Sequence, residues 1–271
     1  MSLDYYTALL TDRPRIEAFR EAILAEVKPG DRVLDVGSGL GTYAFFAAEA
    51  GAEKVWAVES GPVAHLASLL ATANGLDDRV EFIRGKMPDV EAPEPVDVLI
   101  FEDYPIRLLD HRTHGLLTAF KERFLKPDGR LVPGLARLWL APAAGRELSM
   151  ELDPEAAEAF GIDWSVMFPY VVNGPRYVRV ARDRVLAPPQ VGSELTLLDP
   201  PEAASLAIDA EWTFDEPATV EALLYWFEIR LGDRWLSNAP GEESVWGQVS
   251  LPLHPAIQIP RGCTEGSGRT R

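Results

Sequence analysis

The sequence predicts an α/β fold: a Rossmann-like parallel sheet flanked by helices, followed by a β-barrel or β-sandwich domain. Three observations carry that prediction. From Arg32 to about Gly134, strand-like and helix-like segments alternate, as they do in a parallel sheet with helices on both faces. Beyond Gly134 the chain changes to short β-like runs separated by turns such as Pro188–Pro189, Pro200–Pro201 and Gly232–Asp233, the pattern of an antiparallel β domain. The first strand, "RVLDV", runs directly into a turn with glycines at 37, 39 and 41, a composition that lets the backbone approach a ligand closely.

Taken in order, residues 4–27 carry helical spacing, with Ile16, Phe19, Ile23, Leu24 and Val27 on one stripe, and read as one helix stopped by "KPGD". "RVLDV" is a strand, "TYAFFAAEAG" a helix closed by Gly51, "KVWAVE" a strand, and "VAHLASLLATANG" a helix ended by Asn74–Gly75. "RVEFIRG" and "VDVLIFE" add strands, "RTHGLLTAFKERFL" a helix, and "KPDGRLVP" a turn feeding a further strand. The later β-like runs are "ARLWLAPA", "RVLA", "ELTLLD", "ASLAIDAEWTF", "TVEALLYWFEIRL" and "SVWGQVSLPL", with a partly helical insertion at about 153–178. The tail "RGCTEGSGRTR" is expected to be disordered. The expected organisation is a helical segment at 1–28, a ligand-binding α/β domain at 29–134, a β domain at 135–260 and a tail at 261–271.

Composition narrows the function. With 271 residues, 47% of them hydrophobic, the chain can bury a full core. No apolar run approaches the roughly 20 residues a membrane helix needs, and "MSLDYYTALLTDRPR" lacks the basic-then-apolar order of a signal peptide. The lone cysteine, Cys263, allows no intrachain disulfide, which implies a reducing compartment and a cytoplasmic location. Metal clusters built on cysteine are excluded, and the four histidines form no H-E-x-x-H pattern. A formal net charge of −16 disfavours nucleic acid and favours cationic partners.

The glycine turn discriminates among nucleotide ligands. A dinucleotide site wants G-x-G-x-x-G with a pyrophosphate on the helix N-terminus. Here the glycines run G-x-G-x-G behind an acid, Asp35, and no lysine follows to make a phosphate loop. An acid there suits a ligand carrying an ammonium and a sulfonium better than a pyrophosphate. The next strand ends in Glu59, whose carboxylate can accept from both hydroxyls of a ribose. Acid, glycine turn and second acid together read as a site for S-adenosylmethionine. Glu102, just past the strand "VDVLIF", lies where the sites of α/β sheets form.

These segments resemble the protein arginine methyltransferases, which join a class I methyltransferase domain to a β-barrel. "LLTDRPRIEAFREAI" is similar to the family's N-terminal helix motif, and Arg15 falls on the arginine that grips the cofactor carboxylate there. "VLDVGSGLGTYAFFAAEAGAEKVWAVE" resembles the glycine-turn segment through to the ribose acid, Glu59. "RVEFIRGKMPDVEAPEPVDVLIFE" and "RFLKPDGRLVP" match the strands that follow, and "LYWFEIRL…LSNAPGEESVWGQ" resembles the barrel segment carrying a Thr-His-Trp loop. The resemblance implies cofactor contacts from Arg15, Asp35, Gly37, Gly39, Glu59 and the backbone of Met87, and a catalytic role for Glu102.

The chain departs from the family pattern on the acceptor side. The family's second acceptor glutamate falls near Asp110 or His111, its Met-Gly is Tyr104–Pro105, and its Thr-His-Trp is Ser244-Val245-Trp246. The family's adenine-contacting acid falls near Pro88, and the chain ends soon after the Trp loop, so the last barrel strands are expected to be missing. Tyr104, Asp110 and Trp246 are accordingly the candidates for substrate contact. The implied activity is methyl transfer from S-adenosylmethionine to a side-chain nitrogen of a peptide or protein. Two alternatives stand beside it: a small-molecule N- or O-methyltransferase, and a non-catalytic S-adenosylmethionine-binding protein. In the family an insertion like that at 153–178 forms a dimer arm, and here it carries Phe160, Trp164, Met167, Phe168 and Tyr170, so a homodimer is expected.

Overall fold

The computed structural model describes residues 3–90, 94–105, 107–148, 161–172, 174–201, 208–260 and 267–270. Where the apolar stripe predicts one N-terminal helix, there are two: α1 (Leu3–Thr11) and α2 (Arg13–Glu26). Asp12 makes the break. Its carboxylate accepts the Arg15 amide at 3.3 Å, and Pro14 stands in the first turn, where a missing N–H costs nothing. Helix α2 turns Ala18, Phe19, Ala22 and Ile23 inward, and Val27 is buried just past its end.

The alternation that follows is β1 (Arg32–Val36), α3 (Thr42–Glu49), β2 (Lys54–Glu59), α4 (Val63–Ala73), β3 (Val80–Arg84), β4 (Val96–Phe101), α5 (His111–Ala119) and β5 (Leu125–Val132). A π-helical turn, Phe120–Phe124, continues α5, so the segment read as one helix changes its winding before the last strand. The strands form one parallel sheet in the order β3-β2-β1-β4-β5. Strands β1 and β4 are buried along almost their whole length, which is why they read as continuous apolar runs instead of alternating. The register of β5 against β4 jumps between Val96 and Val98, absorbing "KPDG" inside the strand.

The chain divides into two compact units. The first is Met1–Ala136 with Leu195–Ala203 and Ile229–Leu236, and the second is Arg137–Glu194, Ala204–Glu228 and Ser237–Arg271. The first therefore recruits two later segments that the expected boundary at 134 left outside it. The β-rich part comprises β6 (Leu135–Ala143), a short α6 (Phe168–Val172), β7 (Arg176–Val178), β8 (Gln190–Thr196), β9 (Ile208–Glu211), β10 (Ala218–Leu231), β11 (Arg234–Ser237), β12 (Gln248–Ile259) and β13 (Ser267–Thr270). One sheet runs β7-β12-β10-β6-β8, with β11 joined to β10. Ala141, Ala143, Leu148, Ala222, Leu224 and Trp226 make the core of the second unit.

Two expectations for this half change. "RVLA" is no strand: a 3-10 turn, Arg182–Arg184, leads to a single bridge from Val185 to Ala143. The tail expected to be disordered contains β13, which pairs antiparallel with β9, while residues 261–266 and 271 lie outside the described residues. Of the insertion, residues 153–160, including Phe160, and 173 also lie outside them; its described part is partly helical as expected, with a 3-10 turn, Ser165–Met167, and α6 before the start of β7. Among the described residues, no helix is long and apolar enough to cross a membrane.

Candidate active site

The loops after β1 and β4 leave neighbouring strands at the point where strand order reverses, the place where open α/β sheets form a crevice. A pocket lies there, lined by the glycine turn, Glu59, Met87, Glu102 and Asp103, with Tyr6 and Arg15 reaching in from the N-terminal helices. Gly37 and Gly39 take φ values of +74° and +54°, a region that side chains other than glycine's adopt only at a cost. A Cβ on Gly39 would stand 3.1 Å from the Tyr6 ring, and one on Gly37 would stand 3.1 Å from Asp103. The turn is thus closed in by α1 on one side and by the β4 loop on the other. Gly41, at φ +83°, begins α3.

Glu59 ends β2 and is buried. Its two oxygens accept the amides of Gly39 at 3.0 Å and Gly61 at 2.5 Å, which fixes the carboxylate beside the glycine turn. Ser38 Oγ is buried in the pocket lining without a hydrogen-bond partner. Asp35, by contrast, does not line the pocket. It lies beneath the turn, fully buried, and its carboxylate accepts the Ala44 amide at 3.0 Å in the first turn of α3. Burial drives its pKa up to about 7 against the lowering effect of that amide, with Glu102 and Glu59 adding to the rise. Asp35, expected as a cofactor contact, here anchors the first turn of α3 from beneath the glycine turn.

A charged cluster forms the floor. Arg15, 3% exposed, donates from Nη1 to Glu102 Oε2 at 2.7 Å and to the Tyr43 hydroxyl at 2.6 Å, and from Nη2 to the Leu9 carbonyl at 2.6 Å. The Tyr43 hydroxyl in turn donates to Glu102 Oε2 at 3.2 Å. Burial raises the Glu102 pKa to about 7, although Arg15 and Tyr43 both favour its charged form. Asp103, beside it, pairs with Arg112 of α5 at 3.2 Å at the exposed mouth of the pocket.

Of the residues singled out from sequence, Arg15, Gly37, Gly39, Glu59, Met87 and Glu102 meet around this pocket. None of the three substrate candidates lines it. Asp110 caps α5, accepting the Thr113 amide at 2.7 Å. Burial opposes its ionisation, but the Thr113 bonds and the nearby Arg112 and Arg107 bring its pKa below the ordinary value. Tyr104 turns its ring edge-on to Phe101, 4.9 Å between centroids, and its hydroxyl is buried without a partner. Trp246 belongs to the second unit, where it packs against Phe227 at 5.4 Å. Sequence reading missed Tyr6, Tyr43 and Arg112, and it left Asp103 without a role. The only available signal for Tyr43 was a lone hydroxyl in the apolar run "YAFFAA". Among the described residues, no group of three or more His, Cys, Asp or Glu is placed to hold a metal ion.

A glycine turn at the switch point, a buried acid ending β2 and a buried carboxylate after β4 are the arrangement of a class I S-adenosylmethionine-dependent methyltransferase. Comparison with known proteins is specific about the kind. The chain is 32% identical to the protein arginine N-methyltransferase PRMT10 of rice (Oryza sativa subsp. japonica) over 293 aligned residues, covering 94% of this chain and 77% of that one. It is 29% identical to protein arginine N-methyltransferase 6 of Xenopus laevis, covering 93% and 78%. Among solved structures, Arabidopsis thaliana protein arginine methyltransferase 10, in an open conformation, superposes with a TM-score of 0.79 at 26% identity, covering 96% of this chain and 85% of that one. The Trypanosoma brucei PRMT1 enzyme–prozyme heterotetramer with AdoHcy shares the fold, with a TM-score of 0.83 at 24% identity over 95% and 84% of the two chains. No protein-family model matches the chain. The chain belongs to the protein arginine methyltransferases.

Proposed function

We propose that the protein transfers a methyl group from S-adenosylmethionine to an arginine side chain of a protein, with Glu102 and Asp103 receiving the guanidinium. The observation that carries this reading is the pairing of a cofactor-type pocket with two adjacent carboxylates at its acceptor end. The pocket suits the cofactor. The unpartnered Ser38 hydroxyl offers a polar contact, Glu59 is preset for the ribose hydroxyls, and carboxylates surround a space that would hold a sulfonium. Gly37, Gly39 and the Met87 backbone line the cofactor, and Arg15 holds its carboxylate.

When bound, S-adenosylmethionine supplies the activated methyl group. Glu102, ionised above about pH 7, orients the acceptor N–H behind that methyl, accepts the proton the nitrogen sheds as the N–CH3 bond forms and the S–CH3 bond breaks, and passes it to solvent, leaving the product as a methylated guanidinium. Asp103 provides the second carboxylate, in place of Asp110, whose oxygens are engaged at the α5 cap. A planar cation can then be held by two acids and remain charge-balanced. In the free protein Arg112 pairs with Asp103, and a substrate guanidinium replaces it there. The net charge of −16 favours approach of basic peptides. A cytoplasmic location belongs to the same reading and rests on the lone Cys263.

The test is incubation with labelled S-adenosylmethionine and a panel of basic peptides in which arginine is replaced by lysine or histidine. Label should enter arginine peptides and be lost with Glu102→Gln. Label confined to lysine, histidine or small amines, or full turnover by the variant, would overturn the assignment.

A further inference from the structure

We propose that Tyr43 is a positioning residue for the Glu102 carboxylate, setting which of its oxygens meets the acceptor. The inference rests on the role proposed above for Glu102. Tyr43 stands in the first turn of α3, immediately after the glycine turn, and lines the same pocket. Its ring stacks on Phe19 of α2 with 4.5 Å between centroids and 18° between planes, so the hydroxyl has a fixed address. That hydroxyl accepts from Arg15 Nη1 and donates to Glu102 Oε2, closing a three-membered network across α2, α3 and the end of β4.

Both bonds to Glu102 fall on Oε2, and among the described residues none is made to Oε1. The arrangement commits one oxygen inward and leaves the other for the acceptor nitrogen. Arg15 alone does not fix the carboxylate, because one guanidinium N–H leaves the side chain free to rotate about that contact. A second donor from a different helix removes that freedom. The phenol remains a donor over the working pH range, since burial and the neighbouring Glu102 charge hold its pKa well above the ordinary value.

The groups facing Glu102 are Arg15 on α2, Asp12 preceding it, Tyr43 on α3, Asp35 within β1, and Asp103 and Tyr104 beside it. Of these, Arg15 and Tyr43 favour its charged form. Losing the hydroxyl therefore moves Glu102 further from ionisation. Tyr43→Phe retains the ring and its stacking on Phe19 while removing both bonds. The expected result is S-adenosylhomocysteine affinity within about twofold of wild type by calorimetry, which also reports folding. Turnover falls on the order of tenfold, and the acid limb of the kcat–pH profile moves up by roughly one unit, the scale of one hydrogen bond to a charged group.

A merely structural role would lower turnover without moving the profile. Tyr43→Phe with a wild-type acid limb overturns the proposal, whether or not the rate falls. Glu102→Gln, assayed alongside, separates the two levels of inference. If that variant keeps turnover, both readings fall. If it is inactive and Tyr43→Phe retains the wild-type limb, the role of Tyr43 falls alone.

Discussion

Removing the Glu102 charge should stabilise the folded protein while abolishing its activity. The side chain is 15% exposed, and burial raises its pKa from an ordinary 4.5 to about 7 despite the Arg15 guanidinium at 2.7 Å. A carboxyl with a raised folded-state pKa binds its proton more tightly folded than unfolded. Wild-type stability therefore declines as pH climbs from 4.5 to 7 and stays lowered above that window. The displacement corresponds to about 3 kcal/mol at 1.36 kcal/mol per unit, an order-of-magnitude figure. Glu102→Gln mimics the protonated acid at every pH, including its hydrogen bonding to Arg15. At pH 8 the variant should gain up to about 3 kcal/mol, on the order of 1–2 M in urea midpoint. At about pH 4.5 the two proteins should melt alike. Asp35, also raised to about 7, titrates in both proteins and largely cancels in the comparison. Urea titrations without cofactor at the two pH values measure the difference. A variant less stable than wild type at pH 8, or a gap that does not change with pH, would refute the reasoning. It would mean that the buried Arg15 needs a charged partner more than Glu102 needs water.

Glu59→Ala removes the acceptor of the Gly39 and Gly61 amides and of the ribose, and calorimetry should show S-adenosylhomocysteine binding weakened by about 1.5–3 kcal/mol, roughly 10- to 150-fold. Asp103→Asn should raise KM for arginine peptides about tenfold or more with cofactor affinity unchanged, whereas Asp110→Ala should cost about 1 kcal/mol of stability through the α5 cap and leave KM in place. The apolar residues around α6, with Val166 73% and Tyr170 80% exposed, should bury themselves in a homodimer, and light scattering at micromolar concentration that finds a monomer would remove that expectation.

What could be read from sequence was what short stretches determine by themselves. The glycine turn, Glu59 and Glu102 each sit at a strand end, and strand ends are legible from apolar runs and their breakers. Two acids expected as ligand contacts, Asp35 and Asp110, lie outside the pocket lining. Asp35 accepts the Ala44 amide, which only the fold brings to it, whereas Asp110 accepts the Thr113 amide three residues on as a local helix cap. Asp103 and Tyr43 are illegible for the same reason as Asp35. Their importance comes from partners on other elements, Arg112 for one and Arg15 with Glu102 for the other. The break at Asp12 was masked because an apolar stripe keeps its phase across a one-residue interruption, although Asp followed by Pro two residues later is a helix-start signal. The strand β13 had no local signal at all, since a Gly- and Ser-bearing tail gains its pairing only from β9.

The stretch between Glu102 and Asp110 is tied at both ends. Glu102 is held by Arg15 and Tyr43, Asp110 by the start of α5, and Leu108 and Leu109 are buried just before the second anchor. A loop fastened in this way can exchange side chains between its anchors while Glu102 and the start of α5 stay held. Among the described residues, Asp103 and Arg107 are exposed within it. Changes of acceptor preference can therefore accumulate in a handful of adjacent codons while Glu102 keeps its anchors. A directed library confined to that stretch is the smallest one in which to look for altered substrate choice.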